Sequence, residues 1–266
     1  MKIEKEYHAQ DAINQFVQHS CAFLVSGEEG RIAADVGSGT IIWTKGGHCC
    51  ILTAKHIAED ARDKQYRLGF LGCSNPIPDF VAGILLIPDD ADVALLIVKD
   101  ELRPALTNLA LTQDSIPTKG EEGITDEDSL VLIGYPAQMS RYYEDKSQQG
   151  FVSVTYWCPP ADISFDRNGR YQLEWKNAAV WRGDRTFDLP APKGMSGAPL
   201  WRFRKPASSS IWSAGEIGKI VAVQTAWDKK EVLFLEPVGK WGAWFHECFR
   251  TIDKEFGNVA DGSPNK

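Results

Sequence analysis

The stretch Lys193-Gly194-Met195-Ser196-Gly197-Ala198-Pro199-Leu200 decides the reading of this chain. It is approached through Leu189-Pro190-Ala191-Pro192 and leads into apolar residues, so a tight turn is expected to feed a buried strand. Glycine at 194 and 197 opens backbone conformations closed to other residues. Such a turn can expose a hydroxyl and aim neighbouring backbone N–H groups at one point. A serine nucleophile needs both, the free oxygen for attack and the N–H groups for the oxyanion that forms. Taken alone, the pattern also fits an ordinary hairpin turn. A base and an orienting carboxylate upstream would separate the two.

Candidates for both are present. Thr53-Ala54-Lys55-His56 follows the apolar run Cys49-Cys50-Ile51-Leu52, which places His56 just past the end of a buried strand. Ala91-Asp92-Val93-Ala94-Leu95-Leu96-Ile97-Val98 puts Asp92 at the mouth of another. Asp89 and Asp90 compete with Asp92, but a Pro-Asp-Asp turn is better explained as solvated. Here the chain resembles the chymotrypsin-like (trypsin-like) serine peptidases, closest in pattern to HtrA-like and glutamyl-endopeptidase-like members without a PDZ domain. Gly37-Ser38-Gly39-Thr40-Ile41-Ile42, the Gly46-Gly47 turn and Ile51-Leu52-Thr53-Ala54-Lys55-His56 look like that family's first-barrel signature. Asp92-Val93-Ala94-Leu95-Leu96 looks like its aspartate strand, and residues 194–200 like its nucleophile loop. The order His, Asp, Ser is that of the family, not of subtilisins or α/β-hydrolases. The resemblance covers roughly residues 20 to 240. It implies an all-β fold of two six-stranded antiparallel Greek-key β-barrels with short N-terminal and C-terminal helices.

Composition bounds the partners. A chain of 266 residues, 43% hydrophobic, can bury a large core. Its net charge of −7 argues against nucleic acid, because no basic stripe could release counterions from phosphates. No apolar run approaches the ~18 residues of a membrane span. The start, Met1-Lys2-Ile3-Glu4-Lys5-Glu6, lacks an apolar core like that of a secretory signal, so a cytoplasmic protein is expected. The six cysteines show no CxxC spacing and read as reduced thiols, several of them small core residues. Adjacent Cys49 and Cys50 point to opposite faces of a strand. No His/Cys cluster has metal spacing, and no cofactor is expected.

Along the chain, Ala12, Ile13, Phe16 and Val17 give helical spacing within 1–20, the N-terminal helix being read over 9–20. Strands over 21–108 make a first barrel carrying His56 and Asp92. The acidic segment 109–129 reads as a solvated connection between lobes. Strands over 130–240 make a second barrel carrying Ser196, including a hairpin whose Asn168-Gly169 favours a type I′ turn. Residues 241–256 show one apolar helical face, and 257–266 form a polar tail.

The expected roles follow. Ser196 is the nucleophile, His56 the base and Asp92 the group that holds the imidazole tautomer. The N–H groups of Gly194 and Ser196 form the oxyanion hole. Met195 stands where zymogen-activated relatives carry an aspartate that pairs with a freed N-terminus, so activation by clipping is not expected. The loop is then either ordered on its own or ordered by something else, such as substrate, an oligomer or a partner. Ala198 replaces the family's second glycine. By the resemblance, substrate pairs with the strand around Gln224, Thr225 and Ala226, and Asp188 lies near the pocket floor. Glutamyl endopeptidases have a histidine where Gln224 stands, so neither trypsin-like nor Glu-specific cleavage is supported. The expected activity is a serine endopeptidase on protein or peptide substrates, restrained by a regulatory partner. The rival reading is a catalytically silent module of the same fold that binds peptides. An esterase of another fold is disfavoured by the order of the three residues.

Overall fold

In the computed structural model of the chain, the described residues are 2–26, 35–73, 75–87, 91–109, 111–121, 123–139, 141–142, 149–175, 179–182, 185–204, 213–229 and 232–257. Helix α1 (Lys2–Ser20) leads into the first sheet, built from β1 (Cys21–Val25), β2 (Val36–Trp43), β3 (Cys49–Thr53), β4 (Arg67–Phe70), β5 (Val81–Leu86), β6 (Ala94–Val98) and β7 (Leu111–Thr112). Its hydrogen-bonded order is β4-β1-β2-β3-β6-β5, antiparallel throughout, with β7 added in parallel to β2. Helix α2 (Lys55–Asp63) follows β3, and the single turn α3 (Arg103–Leu106) follows β6.

The second sheet comprises β8 (Ser129–Gly134), β11 (Val154–Cys158), β12 (Ile163–Phe165), β13 (Tyr171–Glu174), β16 (Pro199–Phe203), β17 (Gly218–Trp227) and β18 (Val232–Pro237). Its order is β11-β8-β16-β17-β18-β13-β12. Two short ribbons stand apart: β9 (Arg141–Tyr142) with β10 (Gln149–Gly150), and β14 (Ala179–Arg182) with β15 (Arg185–Asp188). A short α4 (Ala214–Ile217) precedes β17, and α5 (Val238–Phe256) closes the described chain.

The pleat explains how these strands share three cores. In β3, Cys49 and Ile51 join the cluster inside the first sheet, with Ile57, Ala58 and Ala61 of α2. Cys50 and Leu52, on the opposite face, join a cluster that also takes Val131, Trp201 and Val223 from the second sheet. Ile13 and Val17 of α1 and Trp241, Phe245 and Phe249 of α5 complete that shared core. A third cluster fills the second sheet and includes Met195 and Ala198. The strands next to His56, Asp92 and Ser196 in the chain, β3, β6 and β16, therefore all place residues in one apolar junction.

Several features depart from expectation. Each sheet has seven strands rather than six, because the connection contributes β7 and the hairpin contributes β12. The N-terminal helix spans Lys2–Ser20, so it extends before the stretch 9–20 where the apolar period is visible. The acidic connection is not wholly solvated: Asp128 is 5% exposed and pairs with Arg204 at 2.6 Å, while Arg202 binds the Gly123 carbonyl at 2.6 Å. The 166–170 turn is not type I′, because Gly169 has φ +69° but Asn168 lacks the positive φ that type demands. The Asp166 carboxylate accepts the Asn168 and Arg170 N–H groups and favours the alternative. All six cysteines carry free thiols. No described helix is long and apolar enough to cross a membrane.

Candidate active site

Asp92 holds the start of α2 in place. Its carbonyl accepts the Lys55 N–H at 3.2 Å and its Oδ1 accepts the His56 N–H at 3.1 Å, satisfying two of the donors a helix leaves open at its N-terminus. Its second oxygen, Oδ2, lies 2.8 Å from His56 Nδ1. An ionised carboxylate only accepts, so Nδ1 carries the proton and Nε2 is left with a lone pair. The ring is half-exposed, while the next two residues of the helix, Ile57 and Ala58, are buried.

His56 titrates above its ordinary value of 6.5. Burial alone would lower it, but the Asp92 hydrogen bond and charge, with the charges of Asp60 and Glu59, more than offset that. A base must be neutral to work, so with His56 in the role expected of it the acid limb of activity should fall away as pH drops through a midpoint above 6.5. Asp92→Asn removes the stabilising charge and leaves the burial. The midpoint should then move downward, and the maximal rate should fall by about 10⁴ because the imidazole tautomer is no longer held. A pH–rate profile of both proteins reads the two effects; an unmoved midpoint counts against the pairing.

In the nucleophile loop the five carbonyls from Pro192 to Ser196 are all held. Pro192 O accepts from Met195 N–H at 3.0 Å, Lys193 O from Ala137 N–H at 2.7 Å and Gly194 O from Ser38 Oγ at 2.8 Å. Met195 O accepts from Ala198 N–H at 2.8 Å and Ser196 O from Ser38 N–H at 2.7 Å. Among the described residues, the N–H groups of Gly194 and Ser196 donate to no acceptor. A trans peptide points its C=O and N–H in opposite directions, so tying Lys193 O to Ala137 turns the Gly194 N–H away from that segment. Gly194 and Gly197 take φ +95° and +93°, the left-handed region that glycine enters freely.

Burial anchors this loop where an ion pair would otherwise be needed. Met195 is fully buried in the second sheet's core, which contributes about 1.5–3 kcal/mol for a side chain of that kind. Ala198 is fully buried beside it, so its methyl packs rather than obstructs.

The structure joins His56 directly to Asp92. Among the described residues no hydrogen bond joins Ser196 to the His56 ring; their connection runs through backbone. Thr53, three residues before His56, donates its hydroxyl to Ser38 O at 2.7 Å, and Ser38 N–H holds Ser196 O. Unliganded sites often tighten such contacts only when substrate arrives. Asp89 and Asp90 lie outside the described residues.

On the substrate side, Gln224 is already committed: its O accepts from Gly197 N–H and its N–H donates to Ala198 O, at 2.7 and 2.8 Å. A bulge follows at Thr225, and Ala226 resumes pairing with Phe234 of β18. The β16 ladder with β17 ends at Pro199 opposite Val223, so from Thr225 onward the other edge of β17 has no partner strand among the described residues. The Gln224 side chain is fully buried; its Nε2 donates to Ala226 O at 2.8 Å and its Oε1 has no partner. Asp188 ends β15 opposite Ala179, and its side chain lies outside the described residues.

Sequence reading missed Ser38, Thr53 and Ala137 as parts of the site. A signal did exist for the first: three small residues, Gly37-Ser38-Gly39, interrupt an apolar strand, and such gaps mark close approach of another backbone.

Residues 37–205 match the family model for the trypsin-like peptidase domain. None of the curated proteins matches the sequence. Among solved structures, a serine endoprotease from Yersinia pestis superposes with a TM-score of 0.51 at 17% identity, covering 90% of this chain. This chain spans 66% of that protein's length. A protease from M. tuberculosis in its active form gives a TM-score of 0.47 at 18% identity, covering 88% of this chain and 82% of its own. At 17% identity the likeness to the Yersinia pestis protein is one of fold.

Proposed function

The chain belongs to the trypsin-like peptidase family, and on that premise we propose that it is a serine endopeptidase working through Ser196, His56 and Asp92. The observation that carries this reading is the loop whose carbonyls from 192 to 196 are all held while the Gly194 and Ser196 N–H groups stay free. Unpaired backbone donors are costly unless something fills them, and a developing oxyanion fills both.

In this reading His56 Nε2 takes the proton from Ser196 Oγ as that oxygen bonds to the scissile carbonyl carbon. The carbonyl oxygen becomes an oxyanion held by the two N–H groups. As the tetrahedral species collapses, His56 returns the proton to the leaving amine and an acyl-enzyme remains. Water then repeats the sequence, with His56 again taking and returning a proton, and frees the acid. Asp92 keeps the Nδ1 proton in place and stabilises the imidazolium. The free edge of β17 from Thr225 would pair with the substrate backbone in the cleft between the two sheets.

The test is intact mass after incubation with a fluorophosphonate, on wild type and on Ser196→Ala. A single adduct on wild type, absent from the mutant, is expected. No adduct on either points to the silent binding module, and an adduct that persists in the mutant moves the nucleophile elsewhere.

A further inference from the structure

We propose that Ser38 is the positioning residue of the oxyanion loop, a side chain in the first sheet that sets the loop of the second in its working shape without an activator. This rests on reading Ser196 as the nucleophile and explains what orders its loop when no acid stands at 195.

The ladder between β2 and β3 ends at Thr40 opposite Leu52. Ser38 lies beyond it, where the edge of β2 has lost its partner strand, and the nucleophile loop occupies that edge. Every polar group of Ser38 is engaged there. Its N–H donates to Ser196 O at 2.7 Å and its O accepts from Thr53 Oγ1 at 2.7 Å. Its hydroxyl donates to Gly194 O at 2.8 Å and accepts from Tyr135 N–H at 2.9 Å. The residue is fully buried, so no water competes for these bonds.

The hydroxyl thus ties three segments at one point: β2, the end of β8 and the loop. Tyr135 and Ala137 belong to one short segment, and Ala137 N–H holds the Lys193 carbonyl whose peptide carries the Gly194 N–H. Fixing Tyr135 against Gly194 through Ser38 therefore fixes the peptide that must present its N–H to substrate. Ser38 touches no reacting atom. A regulator of this enzyme would then act on access to the cleft, because the loop is already set.

The experiment measures fluorophosphonate labelling of Ser196 as a function of probe concentration, which separates the chemical rate kinact from the binding constant KI. For Ser38→Ala, kinact should fall about 10- to 100-fold, somewhat less than outright removal of an oxyanion donor, with KI changed less than about threefold. Ser38→Cys keeps a weaker donor on a slightly larger side chain, and should lie between alanine and wild type. Val98→Ala, at the far end of β6, lowers stability through a core cavity while leaving the loop's bonds intact, and its kinact should match wild type. If Ser38→Ala and Ser38→Cys both label at the wild-type rate, or if Val98→Ala loses kinact as Ser38→Ala does, the positioning role is wrong. If wild type itself never labels, the reading of the site fails, a result distinct from the failure of Ser38 alone.

Discussion

Alanine at Ser196 should lower kcat by on the order of 10⁶, and adding His56→Ala to it should cost almost nothing more. The reason is that the two side chains act on one proton. With no hydroxyl at 196 the base has nothing to deprotonate, and with no base the hydroxyl is a poor nucleophile, so either loss removes the whole covalent route. What survives is the free pair of N–H groups and whatever β17 binds, which together leave about 10³- to 10⁴-fold acceleration over water. The measurement is a double-mutant cycle on casein cleavage with purified proteins. Losses that multiply, each mutant further reducing the rate of the other, would show that Ser196 and His56 act in separate places and would break the assignment. Strong non-additivity is informative here because the resting structure shows no hydrogen bond between the two side chains. The cycle reads a coupling that forms during the reaction.

The elements that carry the proposed triad were legible because each is local. Cys49–Thr53 and Ala94–Val98 are apolar runs closed by polar residues, and that pattern names buried strands wherever it falls. His56 and Asp92 could be placed at their mouths for the same reason. The parts that sequence could not show are contacts between distant backbones. Ser38 and Gly194 are separated by 156 positions, and their bond is between a hydroxyl and a carbonyl that every residue has. Thr53 was quoted within a motif, yet its hydroxyl serves Ser38 rather than His56. The turn at 166–170 failed for a complementary reason. Asn-Gly was read by itself, while the Asp166 carboxylate two residues earlier decides the geometry. Asp128 was read as one charge in a solvated run, but a partner 76 positions away, Arg204, takes it into the protein.

Two glycines with similar positive φ should respond very differently to alanine, and the difference isolates the clamp on the nucleophile loop. Gly72 has φ +82° with nothing within 4 Å of the place a Cβ would occupy, so Gly72→Ala should cost only the left-handed strain, about 1–2 kcal/mol. Gly197 has φ +93°, and its Cβ would sit 1.9 Å from Ser38 O and 2.3 Å from Thr53 Oγ1. The nearer atom is buried strand backbone, held by β1 on one side and by Thr53 on the other, so it cannot move aside cheaply. Gly197→Ala must push the loop off β2, breaking the bond from Ser38 N–H to Ser196 O and the bond from Gly197 N–H to Gln224 O. A loss of roughly 4 kcal/mol or more is expected, in the range reserved for disrupted cores and networks. In thermal melts that is a Tm lower by on the order of 10 °C, against a few degrees for Gly72→Ala. Labelling of Ser196 should vanish in the first variant even well below its Tm and persist in the second. If Gly197→Ala melts and labels like Gly72→Ala, the loop is not seated on β2 as described, and both the oxyanion geometry and the role of Ser38 lose their footing.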